Sequence, residues 1–201
     1  MQKEHSTFII NFSRILSTVF NPIFSLLIFF GVYALEKMNY QEAFKNLLLM
    51  LFIVVIPIFI WIYWNVKTGR YTNMDVSNRK QRNSLYIFNF IVIAIYIVVL
   101  YLTKQKFDFT LIIIFLFILL VVMQISNFFI KSSMHTSANV FVSALFFMLN
   151  PLFGFVWLMI TLMVGVSRIV LKRHTPKEVM MGGLIAFLVS IAYLYIHINF
   201  H

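Results

Sequence analysis

Long apolar runs separated by short polar loops constrain this chain more than any other feature of it. Runs lie near 16–35, 43–64, 85–102 and 109–130; another, 136–149, breaks at Asn150-Pro151 and resumes over about 152–166, and a last covers about 179–198. The hydrocarbon core of a bilayer takes about 20 apolar residues of helix. Backbone N–H and C=O groups there must find partners within the segment, which for such spans means helices. With 62% hydrophobic and 11% charged residues and a mean hydropathy of +0.93, the 201 residues cannot coat a water-soluble globule. The expectation is an all-α, polytopic integral membrane bundle of about seven transmembrane helices, forming one domain over 1–201 with its motif-bearing core at about 65–183. No separate soluble domain has room.

Residues 1–14 are mixed polar, with a short amphipathic stretch before the first span, and no small-residue cleavage site follows that span, so the N-terminus is expected to be retained. The absence of cysteine excludes disulfides, thiolate metal sites and a thiol nucleophile. Five histidines and six carboxylates lack metal-ligand spacing, so no metal and no cofactor is expected. The formal charge of +10 sits in short loops rather than along one soluble face, which points to anionic lipid headgroups and not to nucleic acid. Oligomeric state is left open.

Counting crossings places the N-terminus and the loops 65–84, 131–135 and 167–178 on one membrane face. That face carries 12 of the 16 Lys and Arg: Lys3, Arg14, Lys67, Arg70, Arg79, Lys80, Arg82, Lys131, Arg168, Lys172, Arg173 and Lys177. The positive-inside rule makes such a face cytoplasmic. A phosphate site also needs cations, however, so the charge bias alone does not orient the chain.

Ser167-Arg168, five residues, His174 and then Glu178 form the most chemically pointed string. Arginine presents a planar fork of donors to phosphate oxygens, and a histidine with a carboxylate behind its ring can attack phosphorus. Phosphate ester cleavage needs a nucleophile, a proton donor for the leaving oxygen, and positive charge over the equatorial oxygens. His174 is the expected nucleophile, passing through a phosphohistidine, and His135 the expected general acid. Arg168 and Arg82, with Arg79 and Lys131 behind them, are the expected phosphate-binding cations. Ser133, Ser167 and the N–H groups of the helix opening near His135 add donors.

These residues resemble the type 2 phosphatidic acid phosphatase superfamily of membrane lipid phosphatases, whose pattern is K-x6-R-P, P-S-G-H and S-R-x5-H-x3-D. The third motif reads S-R-I-V-L-K-R-H-T-P-K-E here, with Glu178 where the family usually has Asp, and runs into a glycine-bearing helix start at Gly182 or Gly183. The second reads S-S-M-H, keeping Ser133 and His135 but putting Ser132 and Met134 where the family has Pro and Gly. The first is the poorest: with Arg82 on the family arginine, Asp75 stands at the lysine and Asn83 at the proline. The resemblance implies the nucleophile and acid roles just given.

Each residue also has a structural reading. Thr175-Pro176-Lys177-Glu178 is a good helix start with a capping box, a role Glu178 can combine with orienting His174. Trp61, Tyr63 and Trp64 read as an interfacial aromatic belt, and Gln124, Ser126 and Asn127 as interhelical hydrogen bonders or site-facing groups. His5, His197 and His201 belong to no constellation.

The functional expectation is an enzyme: a metal-independent hydrolase removing a terminal phosphate from a lipid phosphate or diphosphate, in the bacterial inner membrane. Undecaprenyl diphosphate, phosphatidylglycerol phosphate, phosphatidic acid and lipid A phosphates all fit. A phosphotransferase using the same histidine, or a noncatalytic lipid-binding or transport protein on this scaffold, are the alternatives.

Overall fold

The computed structural model describes residues 6–200; Lys3, His5 and His201 lie outside them. Every regular element among the described residues is helical: α1 Thr7–Val19, α2 Pro22–Lys37, α3 Tyr40–Lys67, α4 Arg79–Leu102, α5 Phe107–Asn127, α6 Met134–Leu149, α7 Pro151–Val170 and α8 Pro176–Phe200. The chain is thus an all-α membrane protein, as its apolar runs predict. Five helices are long and apolar enough to cross a bilayer, α1 and α2, bent by 54° at their junction, make a sixth if the pair is one span, and α6 is a shorter apolar helix. At 16 residues and about 1.5 Å per residue, α6 falls short of a hydrocarbon core about 30 Å thick.

Two Asn-Pro dipeptides make the breaks. At Asn150-Pro151 the Asn150 side chain accepts the Leu152 N–H at 2.8 Å while proline occupies the first helical position, where its missing N–H costs nothing. Asn21-Pro22 repeats the device inside the first apolar run, with Asn21 Oδ1 accepting the Phe24 N–H at 3.0 Å. The run expected as one span at 16–35 therefore splits at an elbow. In α3, Pro57 has no N–H to offer the Ile53 carbonyl, and the helix widens into a π segment at Leu51–Val55, with Ile56 N–H reaching Leu51 O.

Helix α1 is amphipathic with its small polar face inward. Ser13 and Ser17 are buried, whereas Phe8, Phe12, Ile15 and Val19 are exposed. In a bilayer lipid is the apolar phase, so the hydrophobic stripe of such a helix is the one that need not be covered.

The described helices form two compact units: the chain up to Phe30 with Ile130–Tyr195, and Gly31–Phe129 with the turns from Ile196. In the first, α1 and α6 pack on α7, and Phe146 meets Trp157 at 4.8 Å between ring centroids. In the second, α4 packs on α5 and α3. There Trp61 turns inward, donating Nε1–H to the Tyr71 hydroxyl at 3.1 Å and stacking on Phe88. It pins the 68–78 loop, so only Tyr63 and Trp64 of the expected aromatic belt are exposed.

Candidate active site

The spacing between Arg168 and His174 is set by how α7 ends. Leu171 is the C-cap, and Lys172 follows in the left-handed region at φ 53°. Lys172 N–H bonds the Ile169 carbonyl at 2.9 Å and Arg173 N–H the Arg168 carbonyl at 3.0 Å, the paired bonds of a Schellman motif. His174 N–H joins the same Arg168 carbonyl at 3.2 Å. Arginine and histidine are thus tied through one backbone oxygen.

Helix α8 begins immediately afterwards. Glu178 N–H bonds the Thr175 hydroxyl at 3.3 Å, and Thr175 N–H bonds Glu178 Oε2 at 3.0 Å, a reciprocal capping box. The same oxygen lies 3.0 Å from His174 Nδ1, and the Lys131 carbonyl lies 3.1 Å from that nitrogen. Carboxylate and carbonyl are both acceptors, so Nδ1 must carry the proton, and in the neutral ring the lone pair is then on Nε2. Glu178 serves as cap and as ring orienter at once. The His174 side chain is 0% exposed.

The 131–135 segment docks onto this turn. Besides the Lys131 carbonyl, Ser133 N–H donates to the Glu178 carbonyl at 3.0 Å. A β-carbon on Gly182, one turn further along α8, would lie 2.6 Å from the Ser133 carbonyl oxygen, whereas one on Gly183 would meet nothing nearer than Thr136 Cγ2 at 3.9 Å. Gly182 is therefore the glycine that lets the two segments touch. Ser133 caps α6, its hydroxyl accepting from the Thr136 N–H and hydroxyl. The helix opens at Met134, one residue before His135, so His135 sits in its first turn, buried.

Of the expected site residues, the first unit holds Lys131, Ser133, His135, Ser167, Arg168, His174 and Glu178. Arg168 is 0% exposed, and its Nη1 donates to Ser17 Oγ at 2.7 Å. Ser167 donates its hydroxyl proton to the Val164 carbonyl at 2.7 Å, so a bond from it to phosphate needs a side-chain rotation. Lys131 Nζ donates to the Arg173 carbonyl at 2.9 Å and lies 4.0 Å from Glu178 Oε2, beside the carboxylate.

Two residues that sequence reasoning passed over belong to this unit. Asn139, one helical turn after His135, donates from Nδ2 to the carbonyls of His135 at 2.8 Å and Phe20 at 2.9 Å. Its Oδ1 accepts from Ser25 Oγ at 3.0 Å and Trp157 Nε1 at 3.1 Å. Asparagine in an apolar run behind a candidate catalytic residue is a readable signal; Ser17, the other, gave none.

Residues 126–201 match the PAP2 superfamily. The similarity lies in the C-terminal part of the chain and covers less than half of it. No curated protein and no solved structure shows a significant match to it. The PAP2 segment contains α6, α7 and α8, with the Ser133/His135 and Ser167/Arg168/His174 strings. Together with the apolar helices, this similarity supports an integral membrane protein related to a phosphatase family.

The remaining candidates, Arg82 and Arg79, precede the matched segment and belong to the second unit. Arg82 is buried, and its Nε donates at 3.1 Å to the carbonyl of Val76. Val76 is itself a buried, β-branched residue at φ 45°, a conformation few such residues adopt. Arg79 Nε donates to the Asn127 carbonyl at 2.6 Å, at the negative end of α5. Asn83 accepts from Gln124 and Asn127, which are thereby interhelical hydrogen bonders.

Proposed function

We propose that this protein is a metal-independent phosphatase of lipid phosphates or diphosphates, with His174 as nucleophile and His135 as general acid. The observation that carries the reading is the bonding of His174 Nδ1. Two acceptors, Glu178 Oε2 and Lys131 O, hold its proton, which puts the ring's lone pair on Nε2, the atom that would attack phosphorus. As Nε2 bonds to phosphorus the ring gains positive charge, and the Glu178 carboxylate lies against it.

In the first step the P–Nε2 bond forms and the bond from phosphorus to the lipid oxygen breaks. The electron pair leaves on that oxygen, which takes a proton from protonated His135. In the second step water gives a proton to the now neutral His135 and attacks phosphorus. The P–N bond breaks, Nε2 regains its pair, and phosphate departs. Arg168 supplies charge to the equatorial oxygens, and Ser133, with Ser167 once its side chain has rotated away from the Val164 carbonyl, adds donors. A guanidinium already taken out of water acts more strongly on a developing phosphorane charge than a solvated one.

An acyl or prenyl chain stays in the bilayer while its headgroup reaches polar loops, which supports prenyl diphosphates, phosphatidylglycerol phosphate, phosphatidic acid and lipid A phosphates as substrates. On the substrate class alone we assign the protein to the bacterial inner membrane. The test is free phosphate released from such a panel by detergent-purified protein, with and without an acceptor lipid. His174→Ala should abolish release and eliminate an acid-labile, base-stable phosphoprotein trapped by rapid quenching. Unchanged turnover in that variant would sink the assignment.

A further inference from the structure

The polar inner face of α1 ends at the most deeply buried cation of the first unit. Ser17 is 5% exposed and its hydroxyl oxygen accepts from Arg168 Nη1 at 2.7 Å, across 151 positions of sequence. A guanidinium is a rigid fork, so holding one terminal nitrogen restricts where the others can point.

The position of Ser17 is itself held. Three residues later the α1–α2 elbow offers the Phe20 carbonyl, which accepts from Asn139 Nδ2, and Ser25, early in α2, donates to Asn139 Oδ1. Trp157 Nε1 can only donate, so the oxygen of the Asn139 amide must face it, and Nδ2 faces the carbonyls of Phe20 and His135. All four hydrogen-bonding positions of that amide are filled. One side chain therefore clamps the elbow to the helix that carries His135 and, through Trp157, to the helix that carries Arg168. A fully satisfied polar network in an apolar surround resists displacement, because any shift leaves buried donors or acceptors without partners.

We propose that Ser17 is a positioning residue for Arg168, so that the broken N-terminal span is a working part of the phosphate site and not only a membrane anchor. The inference rests on the function proposed above. Ser17 does not touch phosphate; it sets the angle at which the arginine does. Its loss should act on phosphate geometry and also lower the thermal midpoint, since alanine keeps the packing of α1 on α7 but takes this acceptor from a buried guanidinium.

The test compares Ser17→Ala, Ser17→Thr and Ser13→Ala in detergent micelles, using phosphatidic acid turnover, competitive inhibition by orthovanadate and by inorganic phosphate, and thermal midpoint. Ser13 lies one turn earlier on the same buried face. Ser17→Ala should lower kcat/KM about tenfold, the size expected for one hydrogen bond to a charged group. It should also weaken vanadate more than phosphate, because the five-coordinate mimic demands the stricter angle. Ser17→Thr, which keeps the hydroxyl, should recover most of the loss, and Ser13→Ala should stay within about twofold of the parent. Ser17→Ala within twofold of the parent, or equal losses in Ser17→Ala and Ser13→Ala, would overturn the positioning role. A parent protein that releases no phosphate from any lipid would instead overturn the proposed function.

Discussion

Gly182→Ala is the sharpest single perturbation the site allows. The added carbon would lie 2.6 Å from the Ser133 carbonyl oxygen, 3.0 Å from its nitrogen and 3.2 Å from its carbonyl carbon. Carbon and oxygen approach comfortably to about 3.3–3.6 Å, so roughly 0.7–1.0 Å must be found, and the obstruction is backbone on both sides. The Ser133 N–H to Glu178 carbonyl bond, 3.0 Å long, lies beside the clash and would be stretched beyond useful hydrogen-bond length. His135 is two residues along the displaced segment, while His174 stays with α8. Overpacking costs about 1–3 kcal/mol, part of which alanine returns through its helix propensity, about 1 kcal/mol over glycine. Stability should therefore fall by about 0–2 kcal/mol.

The rate should change much more, because misplacing a catalytic group by about 1 Å can cost about 100-fold. Gly183→Ala is the matched control: its β-carbon meets only Thr136 Cγ2 at 3.9 Å, so it should keep full activity and gain a little stability. Phosphate release from phosphatidic acid in micelles, thermal midpoint, and amide exchange at Ser133 would be measured on both variants. Gly182→Ala should lose about 100-fold in kcat and lose protection at the Ser133 amide. Equal activity and equal protection in the two variants would refute the reasoning, and the exchange measurement does so without reference to catalysis.

Other substitutions separate roles that share an atom. Glu178→Gln keeps an oxygen for the Thr175 and His174 donors but removes the charge, so kcat should fall about 10–100-fold, read by phosphate release. Thr175→Ala should cost about 1 kcal/mol of stability, read by the thermal midpoint, with activity largely kept. Lys172→Gly should raise the midpoint by the equivalent of up to about 1 kcal/mol, since a side chain at φ 53° is strained by roughly 1–2 kcal/mol and glycine returns part of that as chain entropy; turnover should be unchanged. Asn139→Leu should destabilise by about 3 kcal/mol or more, because each stranded buried partner costs about 1–3 kcal/mol, measured by denaturation in detergent.

What could be read from the chain and what could not divides along the range of the interactions. The helices, the break at Asn150-Pro151 and the Thr175/Glu178 cap are local, and their residue types announce them. The Asn21-Pro22 elbow is equally local, but it is submerged in an apolar run whose mean hydropathy reads as one span; the dipeptide was the signal. Trp61 misleads for a different reason. An aromatic near a helix end is ordinarily interfacial, and only the Tyr71 hydroxyl, brought back by the loop, turns it inward. The bond between Ser17 and Arg168 has no local signature at all, since a serine on a membrane helix is compatible with many partners.

The motif spacing has a physical reason that its letters hide. Five residues between Arg168 and His174 are what a helix needs to end by a Schellman turn and present the next side chain beside its last turn. The carbonyl of the arginine is the acceptor that closes that turn, for Arg173 and His174 alike. Insertion of one residue would move the histidine N–H off that carbonyl and carry Nδ1 away from Glu178, which is positioned independently by its own cap on α8. Deletion would remove the left-handed residue and let α7 run on. Lys172 occupies that left-handed position at a conformational cost, so the turn is held by its hydrogen bonds and by the docking of Lys131 and Ser133 from the other side. A short string of sequence can therefore mark a phosphate site because it encodes a helix ending, a helix beginning and the ring fixed between them.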